Sequence, residues 1–438
     1  MRNQVNLKIL LRALKHKNYQ LYFSGQIISL TGSWMQQVAL SWLVYRISGD
    51  PFILGLVGFS SQIPILILSP IAGVLIDRMN KHRLIISTQI LLMLQASLLT
   101  FLVLTDVIKV WQIILLNIFS GVVNAFDLPA RQSFIVEIVE SREDLGNAIA
   151  LNSSIFNSAR LAGPSIAGLL ISAVGEGICF LINAVSFIAV IIALFAMKIK
   201  PHHLGARHPD MLQGFKEGIK YTFGFIPIRT ILLLIALVSI VGMPYTILMP
   251  VFAKEILHGG PNTLGFLLGA VGIGALCGAF YMAARNSVLG LGKIIAIAAS
   301  TFGLGLILFS LSRNFVLSMT MLVLTGMSMM VQMSSSNTIL QTIVEDKMRG
   351  RVMSFYTTAF TGMAPFGSLI AGFLASRIGA PNTLIIGGFC CMTGALLFAK
   401  QLPTLKDLVH PIYVRMGIIP EVAEGLQSAS NLRVPPEN

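Results

Sequence analysis

Arg160 stands near the middle of an apolar stretch, 148–173, while every Asp and Glu of the chain falls in a polar segment or near the end of such a stretch. An arginine at that depth in a bilayer costs about 2.5–3.5 kcal/mol on insertion scales, so it must face a partner or a wet cavity. With no carboxylate at hand, Arg160 reads as lining a cavity, where its planar fork could grip a carboxylate or phosphate. A structural ion pair is the competing reading. Asp77 is the second charged feature, followed by Arg78, Lys81 and Arg83 between two apolar stretches. A carboxylate ahead of a basic run can make a specific electrostatic contact, or it can be a solvated loop. Gln26, Ser33, Gln36, Gln37, Asn117, Asn124, Gln332, Asn337 and Gln341 are neutral polar residues in or beside apolar stretches. They could line an aqueous path or hydrogen-bond across helices.

Covalent and metal chemistry have little to work with. Cys179, Cys277, Cys390 and Cys391 lie within apolar stretches and read as small core residues. His202, His203 and His208 share a polar segment, where solvated loop histidines are a simpler account than a metal site. No cluster of Asp, Glu and His suggests a membrane-embedded enzyme. The expectation is no enzyme activity, no cofactor and no metal.

Twelve apolar stretches must position these residues: 21–45, 52–76, 84–105, 110–128, 148–173 and 178–197, then 231–252, 264–284, 294–311, 316–339, 352–375 and 383–399. At 55% hydrophobic and 11% charged, the chain has too few polar residues to coat a soluble globule of 438 residues. Each stretch is long enough to cross a bilayer as a helix, which alone satisfies its own backbone hydrogen bonds there. Five Lys and Arg residues (Arg46, Lys109, Lys254, Arg313 and Arg377) fall on one side and Arg160 lies within a span, so the rest of the 31 fall on the other side. That bias places both termini in the cytoplasm. It also accounts for the formal charge of +13 without nucleic acid.

Residues 1–20 carry Leu7, Leu10, Leu11 and Leu14 on one helical face among Lys8, Arg12 and Lys15, the pattern of an amphipathic interfacial segment rather than a cleaved signal. Residues 198–230 form the one long polar break, a cytoplasmic central loop in which 211–223 could be another amphipathic helix. It separates a six-helix bundle at 21–197 from another at 231–400. Five prolines in 401–438 argue for a cytoplasmic tail with little regular structure.

The two halves echo each other. Gly49-Asp50-Pro51-Phe52-Ile53-Leu54-Gly55 aligns with Gly259-Gly260-Pro261-Asn262-Thr263-Leu264-Gly265, and Ala167-Gly168-Leu169-Leu170 with Ala371-Gly372-Phe373-Leu374, at nearly equal offsets. Under that register Asp77 faces Ser287, Asp127 faces Val331 and Arg160 faces Ala364. The charges, and so the chemistry, concentrate in the first half.

Gly73-Val74-Leu75-Ile76-Asp77-Arg78 with the basic residues behind it resembles the signature loop of the major facilitator superfamily of secondary transporters. The resemblance implies an all-α membrane protein, with twelve transmembrane helices as two six-helix bundles around a central cavity. It implies a conformational latch in which Gly73 allows close helix approach, Asp77 faces the start of the eleventh span near Val352, and Lys81 pairs with Asp127. Asn80 stands where the family usually has glycine, and can adopt the same left-handed turn. Gly163, Pro164 and Gly168 resemble the Gly-Pro motif of exporters in this superfamily, though helix packing explains those residues as well. Asn117 replaces an arginine common in drug antiporters, which leaves Asp127 as the candidate proton carrier. Asp127-Leu128-Pro129-Ala130-Arg131, Asp144-Leu145-Gly146-Asn147-Ala148 and Arg349-Gly350-Arg351-Val352 look like the bacterial branch of enterobactin exporters and macrolide efflux pumps. The implied function is export of a siderophore or drug across the inner membrane by alternating access. Uptake of a siderophore or lysophospholipid is the alternative. The expected partners are a small-molecule substrate, a coupling proton and membrane lipid, with the protein a monomer and no nucleic acid bound.

Overall fold

The computed structural model describes residues 11–76, 78–139, 141–199, 211–285, 287–416 and 418. The described residues are helical, with no strand among them. The first half comprises α1 (Lys17–Ser48), α2 (Pro51–Ile76), α3 (Lys81–Leu104), α4 (Val110–Ile138), α5 (Arg142–Val174) and α6 (Glu176–Ala196). An amphipathic helix, α7 (Met211–Gly224), leads to α8 (Ile226–Ile256), α9 (Pro261–Ala283), α10 (Leu291–Leu311), α11 (Phe315–Ile343), α12 (Asp346–Ile378) and α13 (Ala380–Lys400); α14 (Leu402–Arg415) follows. Ten of these are long and apolar enough to cross a membrane by composition. The other two spans, α1 and α5, run to 32 and 33 residues but are more polar. Leu94, Leu98, Phe101, Ile192, Phe195, Phe280 and Val316 point outward and are exposed, as a lipid-facing girdle requires.

The halves share one packing plan. In the first, α2 lies on α4, α3 on α4 and α6, and α1 on α5 and α6. In the second, α9 lies on α11, α10 on α11 and α13, and α8 on α12 and α13. The joints repeat too. Gly175 and Gly379 adopt positive φ (83° and 86°) at the α5–α6 and α12–α13 turns, a backbone that glycine allows without steric cost. Between the halves, α5 packs on α9 and α2 on α12.

Several helices outrun their apolar stretches. α4 continues through Leu128 to Ile138, so Arg131 is inside the helix rather than beyond it, one turn after Asp127. Their polarity mimicked a loop, but they neutralise each other across one turn. The tail is helical over Leu402–Arg415: Pro403 sits in the first turn of α14, where its missing N–H costs nothing, and Leu405, Val409 and Tyr413 bury one face. At the other terminus Arg12–Lys15 is a single 3₁₀ turn, not a free interfacial helix. It is clasped to the start of α5: Lys15 Nζ and His16 Nε2 lie 2.7 and 2.9 Å from Asp144, Arg12 also pairs with it, and Ala13 N–H donates to Asn147. Residues 1–10, His202, His203, His208 and 419–438 lie outside the described residues.

α8 and α12 are irregular. Val238–Gly242 and Phe252–Ile256 of α8 and Thr358–Gly362 of α12 are π-helical. Ser239 Oγ donates to the Phe360 carbonyl and joins two of these segments. Such backbone is tolerated at membrane depth where protein or a cavity covers it.

Candidate functional site

The seam between the halves is built from glycine. A Cβ on Gly55 (α2) would lie 2.5 Å from the Ser368 carbonyl and 2.9 Å from Gly372 Cα of α12. On the other side a Cβ on Gly168 (α5) would lie 2.8 Å from the Pro261 carbonyl and 2.9 Å from Gly265 Cα of α9. These are the residues of the internal repeat, so its small side chains exist to let helices of opposite halves touch. Tyr45 closes the same end: its hydroxyl donates to Glu255 of α8, and Lys254 Nζ lies 5.5 Å from its ring centre.

Contact fades toward the opposite, basic end. Gly55, Leu66 and Gly73 share one stripe of α2, spaced by whole helical turns. Gly55 meets Gly372 and Leu66 meets Gly362, but a Cβ on Gly73 would have nothing within 4 Å. The halves therefore form a wedge, closed at one end and parted at the basic end. Gly73 makes no close helix approach in this state. Asp77 lies outside the described residues. Arg78 and Arg83 are exposed, and Val352 is buried in α12. Lys81 does not pair with Asp127: its Nζ lies 2.5 Å from Glu137, at the end of α4, because Asp127 is more than two turns deeper. Asn80 is not left-handed; at φ −71° its side chain accepts from the Arg83 N–H and caps α3.

Asp127 is fully buried and held by three helix-borne groups. Thr88 Oγ1 donates to it at 2.6 Å, Gln89 Nε2 donates at 2.9 Å, and Arg131 pairs with its other oxygen. Arg131 in turn donates to Gln26 Oε1 at 2.8 Å. This network ties α1, α3 and α4 together inside the first half. An i,i+4 Asp–Arg pair around Pro129 was the signal for it in the sequence.

Arg160 sits at the apex of the wedge. Leu161, Ser165 and Gly168, beside it on α5, pack on Gly272, Gly269 and Gly265 of α9, and Gly163 packs on Trp34 of α1. The lipid side of α5 is marked by exposed Ile166 and Leu169. Arg160 lies on the opposite stripe, with Pro164, Ala167 and Ile171, the last two buried. Pro164 has no N–H, so the carbonyl of Arg160 lacks its helical donor. No described residue gives Arg160 an ion pair or hydrogen bond. Tyr245 of α8, which nothing in the sequence reading singled out, is another polar group left without a partner inside the bundle. The Tyr245 side chain is fully buried and its hydroxyl has no partner, which costs about 1–3 kcal/mol.

The neutral polar residues divide. Gln36 bonds within the first half, donating to Gln95 at 3.3 Å and accepting from Asn183 at 2.7 Å. Asn117 and Asn124 bond back to the carbonyls of Ile113 and Ser120 on their own helix. Gln37 is exposed, and Gln332 is buried with neither side-chain polar atom paired. The four cysteines are free thiols, and no group of metal-ligating side chains occurs among the described residues.

Two six-helix bundles meeting along a wedge, with an unpaired cation at its apex, define a membrane transporter of the major facilitator type rather than an enzyme. The chain belongs to the transmembrane secretion effector family of that superfamily, whose profile covers residues 10–422. It is 27% identical over 394 residues (88% of this chain, 97% of the relative) to a staphyloferrin A transporter of Staphylococcus aureus. It is 24% identical over 389 residues (86% and 93%) to a multidrug efflux pump, Tap, of Mycolicibacterium fortuitum, and 22% identical over 386 residues (85% and 94%) to macrolide efflux protein A of Streptococcus pyogenes. Its fold matches that of a bacterial homologue of the human lysosomal transporter Spinster, in an inward-facing and occupied conformation, with a TM-score of 0.70 at 15% identity, covering 90% of this chain and 98% of that one. It is a multi-pass protein of the bacterial plasma membrane that moves small molecules.

Proposed function

We propose that this protein exports a small anionic or amphipathic molecule, of the siderophore or drug class, from the cytoplasm by alternating access. The observation that carries this reading is Arg160, an unpaired cation at membrane depth on the inner stripe of α5, where the wedge narrows. An anion arriving from the open end would supply the partner that the protein does not. The Lys and Arg bias supports a cytoplasmic basic end with both termini inside, which makes the state seen here inward-facing, the one an exporter loads from. The names of the relatives, a siderophore transporter and two efflux proteins, fit the same substrate class. The protein works as a monomer in contact with membrane lipid, and the coupling ion is a proton. Asp127 is the carboxylate available inside the bundle for it, and to take a proton it must part from Arg131. The latch of Gly73, Asp77, Arg78, Lys81 and Arg83 closes the cytoplasmic end in the opposite state, so Asp77→Asn should insert normally yet transport poorly.

The test is accumulation inside and outside a deletion strain complemented with Arg160→Lys or Arg160→Gln. Lysine should retain part of the transport, and glutamine should nearly abolish it with folded protein at wild-type levels. Normal transport with lowered yield and melting temperature in both variants would mark Arg160 as structural and end this reading.

A further inference from the structure

Exposed cations and exposed apolar side chains gather where the second half begins. α7 ends at Gly224, extended backbone at Phe225 (φ −101°, ψ 110°) turns the chain, and α8 starts at Ile226. Over the described side chains of α7, Lys216, Ile219, Lys220 and Phe223 are exposed, and their spacing sets them on one helical face. Arg229 is exposed one turn before Leu233, itself exposed on the apolar part of α8, so this cation stands at the rim of the span.

The opposite face of α7 is fastened to α12. Glu217 pairs with Arg351 at 2.7 Å, and a Cβ on Gly218 would touch Arg351 and Phe355, each at 3.4 Å. The Glu345 N–H, just before α12, reaches the Tyr221 hydroxyl at 3.5 Å. Phe223 also meets the Phe355 ring edge-on, with centroids 6.3 Å apart at 77°.

The outward face is chemically specific. Its charges are all positive, because Glu217, the only acid in α7, is matched by Arg351. Apolar side chains set between lysines suit neither bulk water nor a hydrocarbon core. They suit the interface of an anionic bilayer, where apolar groups sink below the headgroups and ammonium groups stay among the phosphates.

We propose that α7 docks on anionic lipid headgroups of the cytoplasmic leaflet through Lys216, Ile219, Lys220 and Phe223, with Arg229 beside them, and so holds the start of α12 in the parted position seen here. Closing the basic end requires α12 to approach α2. At present a Cβ on Gly73 of α2 or on Gly350 of α12 would have nothing within 4 Å. Lipid that fixes α7 opposes that approach, because it binds one state better than the other. The proposal does not depend on Arg160 or on the substrate.

The test uses full-length protein in nanodiscs of phosphatidylcholine, with or without phosphatidylglycerol. Hydrogen exchange reports on α7, and spin labels at Met79 and Lys347, both exposed, report the gap at the basic end in a cysteine-free background. Phosphatidylglycerol should slow exchange across 216–223 and shift the label distances toward the longer population. Each lysine at an anionic surface strengthens binding roughly fivefold. Lys216→Gln/Lys220→Gln should therefore lose most of the slowing, with exchange in phosphatidylcholine unchanged. Salt at about 1 M, where screening acts within about 3 Å, should do the same without any substitution. Glu217→Arg sets a repulsive pair against Arg351 but keeps the outward face, so it should retain the slowing and shrink the distance shift. Equal exchange in the two lipids, or slowing that survives both the lysine variant and high salt, would overturn the docking. Slowing with no distance shift in the wild type would overturn the hold on α12.

Discussion

Adding one methyl group at Gly55 and another at Gly168 should tip the protein out of the state seen here and open the end that is now closed. Each new Cβ would meet backbone rather than a flexible side chain: the Ser368 carbonyl at 2.5 Å for Gly55, and the Pro261 carbonyl at 2.8 Å for Gly168. Neither neighbour can swing aside, so the helices must separate. Overpacking of this kind costs about 1–3 kcal/mol per site, and the two sites lie on separate helix pairs, α2–α12 and α5–α9, so their effects should add. Each shift of that size changes the balance between states by about 5–150-fold. The helices themselves do not suffer, because alanine is favoured over glycine in a helix by roughly 0.5–1 kcal/mol. The cost therefore falls on the closed seam alone. A reporter cysteine at Leu54, 3% exposed beside the seam, in a protein otherwise free of cysteine, reads the change. Labelling by an impermeant maleimide in whole cells should be slow in the parent and several times faster in Gly55→Ala/Gly168→Ala. Equal labelling rates in the two, at matched expression, would refute the claim that helix-to-helix contact at these glycines holds this end shut.

Three further outcomes follow from other contacts. Arg131→Met leaves Asp127 buried without its charge partner and should lower stability by about 3–5 kcal/mol, while Asp127→Leu/Arg131→Met should recover most of that loss in a thermal-melt assay; a double variant worse than the single would contradict the pairing. Lys15, His16 and Arg12 hold the Asp144 carboxyl below its usual range, so the clasp on α5 is in full force above about pH 3.9, the unfolded value, and fades only as pH falls through the lower folded value. Hydrogen exchange at the Ala13 amide should stay slow down to pH 4 in the native protein and be fast at every pH in Asp144→Ala; equal exchange in both would remove the clasp. A single cysteine at Asp106 or Gly260 should react with an impermeant thiol reagent from outside the cell, and one at Asn80 or His208 should not; labelling at Asn80 in sealed cells would reverse the orientation.

The amino-acid order by itself determined that this is a helical membrane protein of two related halves. Those properties are written in composition, in stretches of spanning length and in repeated glycines, all local or additive quantities. The same is true of Arg160: an isolated charge in an apolar stretch is visible without coordinates, and so is the absence of a nearby acid. The partner of each polar group was a different matter. Lys81 reaches Glu137 and not Asp127 because α4 runs past its apolar stretch, a length that only the buried Asp127–Arg131 pair makes tolerable. Gln36 became a tie between α1, α3 and α6 because those helices pack that way round, whereas Gln332 found no partner at all. Tyr245 carries no charge and interrupts no pattern, so nothing in one dimension could mark its hydroxyl as buried without a partner. Only the packing of one half against the other decides which unpaired groups share a space, and along which seam the halves part.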